Sequence, residues 1–161
     1  MSTLQYVVPD RIKGQCDQAK YSRWPHRKTV THARRDRKRG RACTIARYKA
    51  GIHAAVCSSG DVDFYTGQPL AWSRVSTYDN ESSKSGRTKY KTTLALLPTI
   101  DHTVDELGRP KFVICSWYVN DAKNDLSIDA FYQLCERVLE HRRTMKSVGR
   151  KEQGVDGWHL I

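Results

Sequence analysis

The 161-residue chain has no long apolar run, no closely spaced cysteine pair and no glycine-rich phosphate loop. No apolar stretch approaches the ~20 residues that a membrane-spanning helix needs. The first residues also lack the basic-then-apolar order of a secretory signal. There are no internal repeats. Together these absences argue against membrane and repeat proteins, and we expect a cytoplasmic protein made of one domain with an extension.

The number and spacing of the cysteines do not suit disulfide bonds or a structural zinc site. The five cysteines are odd in number and far apart, and no C-x-x-C pair occurs. A disulfide framework or a structural zinc site would need closer or even-numbered sets. We therefore expect reduced thiols in an intracellular protein.

Acidic residues are also in short supply. The chain has 17 Asp and Glu residues against 28 Lys and Arg residues, which gives a net charge of +11 and a pI of about 9.6. A charge of this size predicts a polyanionic partner. Nucleic acid is the first expectation and an acidic membrane surface the second.

The basic residues concentrate between Arg27 and Arg41, where eight cations are opposed by Asp36 alone. A solvated helix face or a disordered basic arm would explain such a run. In an already basic chain, phosphate binding is the interpretation that we favour, and binding should then weaken steeply with salt. The predicted nucleic-acid-binding residues are Arg34, Arg35, Arg37, Lys38, Arg39 and Arg41. We expect a basic helix over 33–56, broken or bent near Gly40 and Gly51, within an N-terminal extension 1–56.

The turn cluster around Ser58–Asp61 predicts the start of a core domain, 57–145, which is followed by a tail, 146–161. Apolar runs predict strands over 70–78, 90–100 and 112–115, and a short helix over 117–123. Ser127 is expected to cap a helix over 128–143. The buried stripe of that helix is predicted to be Ile128, Phe131, Leu134, Cys135 and Val138. These elements predict an α+β fold.

The residues with the clearest chemical potential are Asp101, His102 and Asn120. Asp101 and His102 end an apolar run, and adjacent side chains on a strand point to opposite faces. The pair therefore presents a carboxylate to one side and an imidazole to the other. An Asp-His pair by itself is more often a surface turn, but Asn120 on the following short helix favours a site.

This order of strand, turn, strand and helix resembles the ββα-metal fold of HNH endonucleases. Asp101 and His102 match the family's Asp-His pair, Asn120 matches its final Asn, and Phe112–Lys123 resembles its closing strand and helix. The Tyr65–Leu70 segment resembles a turn found upstream of the motif. Lys111 stands near the family's middle Asn, and the zinc-binding cysteine pairs of many relatives are absent.

The resemblance implies a small ββα-metal core. With the elements predicted above, the expected fold is this core with a flanking antiparallel hairpin, a C-terminal helix and a basic, helical N-terminal extension that the resemblance does not cover. It implies that His102 is the general base and that Asp101 and Asn120 hold one Mg²⁺ or Mn²⁺ ion. Histidine titrates near neutral pH, and carboxylate and amide oxygens suit such hard cations. Lys123 is either a phosphate contact or a solvated lysine.

The expected activity is metal-dependent hydrolysis of DNA, with duplex DNA as the substrate. One such site cuts one strand, so double-strand cutting would require a homodimer. Two alternatives stay open at this point. A non-catalytic nucleic-acid-binding protein could retain the fold, a possibility that the Lys111 departure favours, and an RNA-directed nuclease would use the same chemistry.

Overall fold

The computed structural model describes residues 6–41, 44–79, 81, 84, 89, 92–104 and 110–152, with the backbone alone for 103–104 and 147–152. Its elements confirm the predicted α+β class. In chain order they are α1 (Asp10–Lys13), α2 (Gln18–Lys38), α3 (Ile45–Ser59), a 3₁₀ turn (Trp72–Arg74), β1 (Pro98–Val104), β2 (Pro110–Ser116), α4 (Trp117–Lys123) and α5 (Ile128–Glu152).

The basic segment forms parts of two helices, α2 and α3, with a break near Gly40 as predicted for the helix over 33–56. Asp17 caps α2 by accepting a hydrogen bond from the Lys20 amide at 2.7 Å. The break after Lys38 contains Gly40 at φ 74°, a conformation that favours glycine. Thr44 then caps α3 through the Arg47 amide. Of the two possibilities predicted near Gly40, a break or a bend, the structure shows the break.

Gly51 lies inside α3. Its lack of a side chain allows close packing of the helix and does not bend it. A Cβ atom at this position would come within 3.0 Å of the Phe112 ring. Phe112 belongs to β2, so the glycine allows α3 to lie directly against the hairpin. The second predicted bend is therefore a point of close contact between a helix and a strand.

The strands β1 and β2 form an antiparallel hairpin with a continuous register from Pro98 opposite Ser116 to Val104 opposite Pro110. His102 lies opposite Phe112. Residues 105–109, which include most of the predicted turn, lie outside the described residues. Helix α4 follows β2 without a break, and its first amide, on Trp117, donates to the Leu97 carbonyl at 2.8 Å. The order strand, strand, helix is therefore as predicted.

The predicted flanking hairpin is wrong over residues 70–78. This segment contains the 3₁₀ turn, and its nearest β-pairing is an isolated bridge between Val62 and Pro69. Leu70, Trp72 and Val75 are fully buried, which produced a pattern that resembles a strand. The strand predicted over 90–100 begins only at Pro98, because residues 94–96 form a turn.

One hydrophobic core joins both sides of the boundary predicted between residues 56 and 57. Trp24 of α2 packs edge-on against Trp72 with 5.2 Å between ring centroids. The buried cluster contains Val8, Ile12, Cys16, Tyr21, Trp24, Ala33, Tyr48, Ile52, Ala55, Val56, Leu70, Trp72, Val75, Ile100, Phe112 and Ile114. The predicted division was 1–56, 57–145 and 146–161. The compact units are Met1–Ala122 and Lys123–Ile161.

The second unit contains α5, whose start is as predicted. Ser127 Oγ accepts a hydrogen bond from the Ala130 amide at 3.1 Å. The helix continues to Glu152, through the first part of the predicted tail; the rest of that tail lies outside the described residues. The predicted stripe is not buried, since Leu134 is 41% and Val138 58% exposed.

None of the helices in the described part of the chain combines the length and the apolar character needed to cross a membrane.

Replacing Trp24 by Ala should destabilise the whole first unit, because Trp24 is 3% exposed and lies within its single core. We expect the free energy of unfolding to fall by ~3–5 kcal/mol in urea titrations. Val30→Ala is the control, since Val30 belongs to the same helix but is 44% exposed; it should change stability by less than about 0.5 kcal/mol. Equal, small effects of both variants would contradict the shared core.

Candidate active site

The candidate site is built on β1, which directs Asp101 and His102 to different surroundings. Their side chains alternate across the strand, as expected for neighbouring residues. Asp101 meets Tyr65, while His102 meets side chains of α2 and α3. The hairpin register fixes this division, because a one-residue slip would exchange the two faces.

His102 lies in an aromatic enclosure. Its ring stacks on Phe112 with 5.2 Å between centroids, and the rings of His32 and Tyr48 approach at 5.5 and 5.8 Å. The side chain is only 5% exposed. Two helices and the partner strand thus hold the imidazole in one orientation.

The polar contact of this imidazole is with Asp36. His102 Nε2 lies 3.3 Å from Asp36 Oδ2, which is within ion-pair distance but without the alignment of a hydrogen bond. Asp36 is itself buried, with 1% of its side chain exposed. It accepts a hydrogen bond from the Tyr48 hydroxyl and pairs with Arg41 at 3.4 Å. A carboxylate from the basic segment therefore lies next to the predicted general base.

Burial is the main reason why the pKa of His102 is lowered from its ordinary value of 6.5. The negative charge of Asp36 opposes this effect, while the charges of Arg41 and Arg35 reinforce it. A lowered pKa means that the imidazole is mostly neutral at neutral pH. Only the neutral form can accept a proton, so this state suits a general base.

His32 is a second buried imidazole, in edge contact with His102. Burial is the main reason why the pKa of His32 is lowered to about 4, and the neighbouring His102 and Arg35 contribute to the same shift. Its Nδ1 atom is buried without a hydrogen-bond partner among the described residues. His32 is therefore neutral over the range in which most proteins work.

On the other face of β1, Tyr65 donates a hydrogen bond to Asp101 Oδ2. The position of Tyr65 depends on Asp63, whose Oδ1 accepts hydrogen bonds from the amides of Tyr65 at 2.7 Å and Thr66 at 2.9 Å. The second oxygen of Asp63 accepts the Ser116 amide at the end of β2. Burial alone would raise the pKa of Asp63, but these backbone donors outweigh it and hold the pKa below its usual value.

Lys28 brings a cation from α2 to the same strand. Its Nζ atom donates a hydrogen bond to Thr99 Oγ1 at 2.7 Å. Burial lowers the pKa of Lys28 to about 8. Cys115, opposite Thr99 in the hairpin, is buried as well, and burial next to the charge of Asp101 raises its pKa to about 12.

Asn120 lies on α4, where it is partly buried. The start of this helix is fixed next to β1, because the amides of Trp117 and Tyr118 donate to the carbonyls of Leu97 and Ala95. Asp101 lies three residues along β1 from Pro98, which is about 10 Å at the usual rise of a strand. The structure therefore places Asn120 on the helix that leaves the Pro98 end of the hairpin, and Asp101 in the middle of β1, opposite Val113.

Lys123, the predicted phosphate contact, is 3% exposed. Its Nζ atom donates to the Leu126 carbonyl, in the turn that follows α4. The position of the ammonium group stabilises this turn. The alternative interpretation from the sequence was a solvated lysine, but the Lys123 side chain is buried.

The donors available to a metal ion are few. Among the described residues, no group of three or more His, Cys, Asp or Glu side chains is placed to share an ion. Mg²⁺ does not require such a group, since it keeps several waters and is often bound through one or two carboxylates and substrate phosphates. The carboxylate of Asp101 and the carboxamide oxygen of Asn120 are hard donors of the suitable type. The residue types present thus fit a magnesium site of low protein coordination.

The six cations predicted to bind nucleic acid are all solvent-exposed, at positions 34, 35, 37, 38, 39 and 41. Arg35 and Arg41 are close enough to His102 to lower its pKa. Arg34, Arg37 and Lys38 instead line a recess on another face of α2. The run is therefore split between the neighbourhood of His102 and a separate surface.

Sequence reasoning missed Asp36, Tyr48, Tyr65 and Lys28 as parts of the site. Asp36 did carry a signal, since it is the single acid within the basic run. Tyr65 lay in a segment noted for its resemblance to a turn of the HNH family. Nothing in the local sequence distinguishes Tyr48 or Lys28 from ordinary core and surface residues.

The buried, neutral His32 should make the protein sensitive to acid. In the unfolded chain His32 binds a proton near pH 6.5, but in the folded chain only near pH 4. Stability should therefore fall as the pH decreases through this window, by about 3 kcal/mol from His32. The His32→Leu variant should therefore lose about 3 kcal/mol less unfolding free energy than the parent between pH 6.5 and pH 4. Parallel pH curves in urea titrations would contradict the buried neutral state.

The chain matches no family model, no curated protein and no solved structure.

Proposed function

We propose that this protein is a metal-dependent DNA endonuclease of the HNH type. The observation that carries the proposal is the division of β1 into two faces. The buried His102 imidazole lies 3.3 Å from Asp36 on one face, and the Asp101 carboxylate lies on the other. Hydrolysis of a phosphodiester needs a base for water and a cation for the phosphate. The two faces offer one group for each task.

His102 is the proposed general base. Because Nε2 is directed towards the buried Asp36, Nδ1 is the nitrogen left to take a proton from a water molecule. The water oxygen forms the new bond to phosphorus while the bond to the leaving sugar oxygen breaks. The lowered pKa of His102 keeps the imidazole ready to accept that proton at neutral pH.

Asp101 and Asn120 are the proposed ligands of one Mg²⁺ or Mn²⁺ ion. When bound, such an ion neutralises charge on the scissile phosphate and the leaving oxygen. Tyr65 holds the Asp101 carboxylate through its hydroxyl group. The orientation of Asp101 is thus determined by the Tyr65 turn and not by the strand alone.

Duplex DNA is the proposed partner. The net charge of +11 favours a polyanion, and Arg35 and Arg41 provide positive charge close to His102. A substrate phosphate near His102 would be attracted by these two charges, which add to the effect of burial in lowering the pKa of the imidazole. Double-strand cutting would require two copies of this site.

A non-catalytic nucleic-acid-binding protein is the second candidate. Asp101 is 6% exposed and already bonded to Tyr65, and Lys111 stands where a bracing Asn is expected. Both features would be expected of a fold that had kept its binding surface without its chemistry.

The first test is cleavage of supercoiled plasmid with Mg²⁺ or Mn²⁺. The parent should nick the plasmid, and His102→Ala should lower the rate by about 10²–10⁴-fold. Asp101→Ala should also be inactive, while both variants retain duplex binding in gel shifts. EDTA should stop the parent. A parent that binds but never nicks would favour the non-catalytic candidate.

The second test concerns Asp36 as a positioning residue. Asp36→Asn keeps the shape of the side chain but removes the charge that faces His102. We expect the cleavage rate at saturating DNA to fall by about 10²-fold, with the dissociation constant for DNA little changed. The matched experiment places Asp36→Asn in the His102→Ala background. There it should have no further effect, because its role acts through His102. An additional loss of the same size would show that Asp36 acts independently.

A further inference from the structure

Helix α2 has one face committed to the core and the site. Lys28, His32 and Asp36 are spaced four residues apart and therefore lie on one side of the helix. Lys28 bonds Thr99, and His32 and Asp36 both contact His102. This inner face cannot meet a macromolecule, because β1 and α3 already cover it.

The outer face of α2 carries Val30, Arg34, Arg37 and Lys38. These four residues line a surface recess of about 460 Å³. At 3.6 residues per turn, Arg34 and Lys38 lie about 160° around the helix from His32 and Asp36, respectively. Arg37 Nε donates to the Ala33 carbonyl at 3.4 Å, which holds its guanidinium group along the helix.

The charge of this face has no acidic counterpart on α2. The helix contains one acid, Asp36, and that residue is buried on the inner side. Three exposed cations within about one turn therefore create a concentrated positive field. An α-helix about 10–12 Å across also has the width that the major groove of DNA admits.

The outer and inner faces are separated by the body of the helix, about 10 Å across. A phosphate held by Arg34, Arg37 or Lys38 therefore cannot be the phosphate that reacts near His102. We propose that the outer face of α2 is a second backbone-binding surface for duplex DNA, which contributes affinity but not chemistry. This inference rests on the proposed function, because it takes DNA as the substrate.

The test replaces the three outer cations by glutamine, as Arg34→Gln, Arg37→Gln and Lys38→Gln together. The matched control is Arg142→Gln, Arg143→Gln and Lys146→Gln on α5, where the three side chains are also exposed. Both variants lower the net charge from +11 to +8, since each removes three cations. They differ only in where the charge is lost.

Binding to a labelled 30-base-pair duplex is measured by fluorescence anisotropy in EDTA at several salt concentrations. Three phosphate contacts contribute about 2.7 to the slope of log affinity against log salt. Between 50 and 200 mM salt, the affinity of the parent should thus fall about 40-fold more than that of the α2 variant. The α5 control should keep the slope of the parent. At saturating DNA with Mg²⁺, the α2 variant should nick plasmid at the rate of the parent.

Two results would overturn the inference. One is an equal slope for the α2 variant and the α5 control, which would mean that net charge alone matters. The other is a lower nicking rate at saturating DNA, which would place the outer face in the chemical step. The double variant Arg34→Gln and Lys38→Gln retains the Arg37 bond to Ala33 and repeats the measurement should the triple variant fail to fold. Its slope should decrease by about 1.8.

Failure of the proposed function has a different signature. If the parent itself does not bind the duplex at any salt concentration, the proposal of a DNA substrate and this inference both fail. If the parent binds and nicks DNA while the α2 variant behaves like the α5 control, the endonuclease proposal stands and only the second surface is lost.

Discussion

The packing of α2 and α3 on the hairpin depends on the buried carboxylate of Asp36. Removing a charge from water costs several kcal/mol unless the charge is paired and hydrogen-bonded. Asp36 meets this requirement with Tyr48 from α3, Arg41 from the segment after α2, and His102 from β1. The three partners come from three parts of the chain. Satisfying one charge therefore fixes how two helices and the hairpin meet.

This constraint changes the meaning of the basic segment. A run of cations by itself would be expected to remain solvated, yet Lys28 is partly buried and Arg41 is paired with Asp36. Burial of the inner face explains why α2 belongs to the core and is not a detachable arm. The cations that stay exposed lie in two places, because helical geometry directs neighbouring side chains to different faces. Arg35 and Arg41 lie near His102, and the outer cations lie across the helix.

Short sequence patterns predicted the elements whose formation depends on residues close together in the chain, such as strands from β-branched runs and helix starts from capping residues. The β-branched run 112–115 located β2, and the cap at Ser127 located the start of α5. The strand predicted over 70–78 was wrong because spaced apolar residues are equally compatible with a buried 3₁₀ turn. The predicted burial of the α5 stripe was wrong at Leu134 and Val138, because amphipathic spacing identifies an apolar face without fixing how deeply it is buried. In the site, Asp101 and His102 could be recognised because they are neighbours in the sequence at the end of an apolar run. Asp36 and Tyr65 are far away in sequence, and only the tertiary fold brings them to these residues.

The alternation of side chains along β1 also explains why the polar contacts occur in two separate groups. The Asp36 group surrounds His102 with aromatic rings and little solvent, which keeps the imidazole neutral. The Tyr65 group lies on the other face, where Asp63 ties the Tyr65 turn to the end of β2. A shift of one residue in the hairpin would place the Asp101 carboxylate in the aromatic enclosure and His102 beside Tyr65. Both groups would then face the wrong partner, so the contacts that orient the site also select the register of the strands on which the site is built.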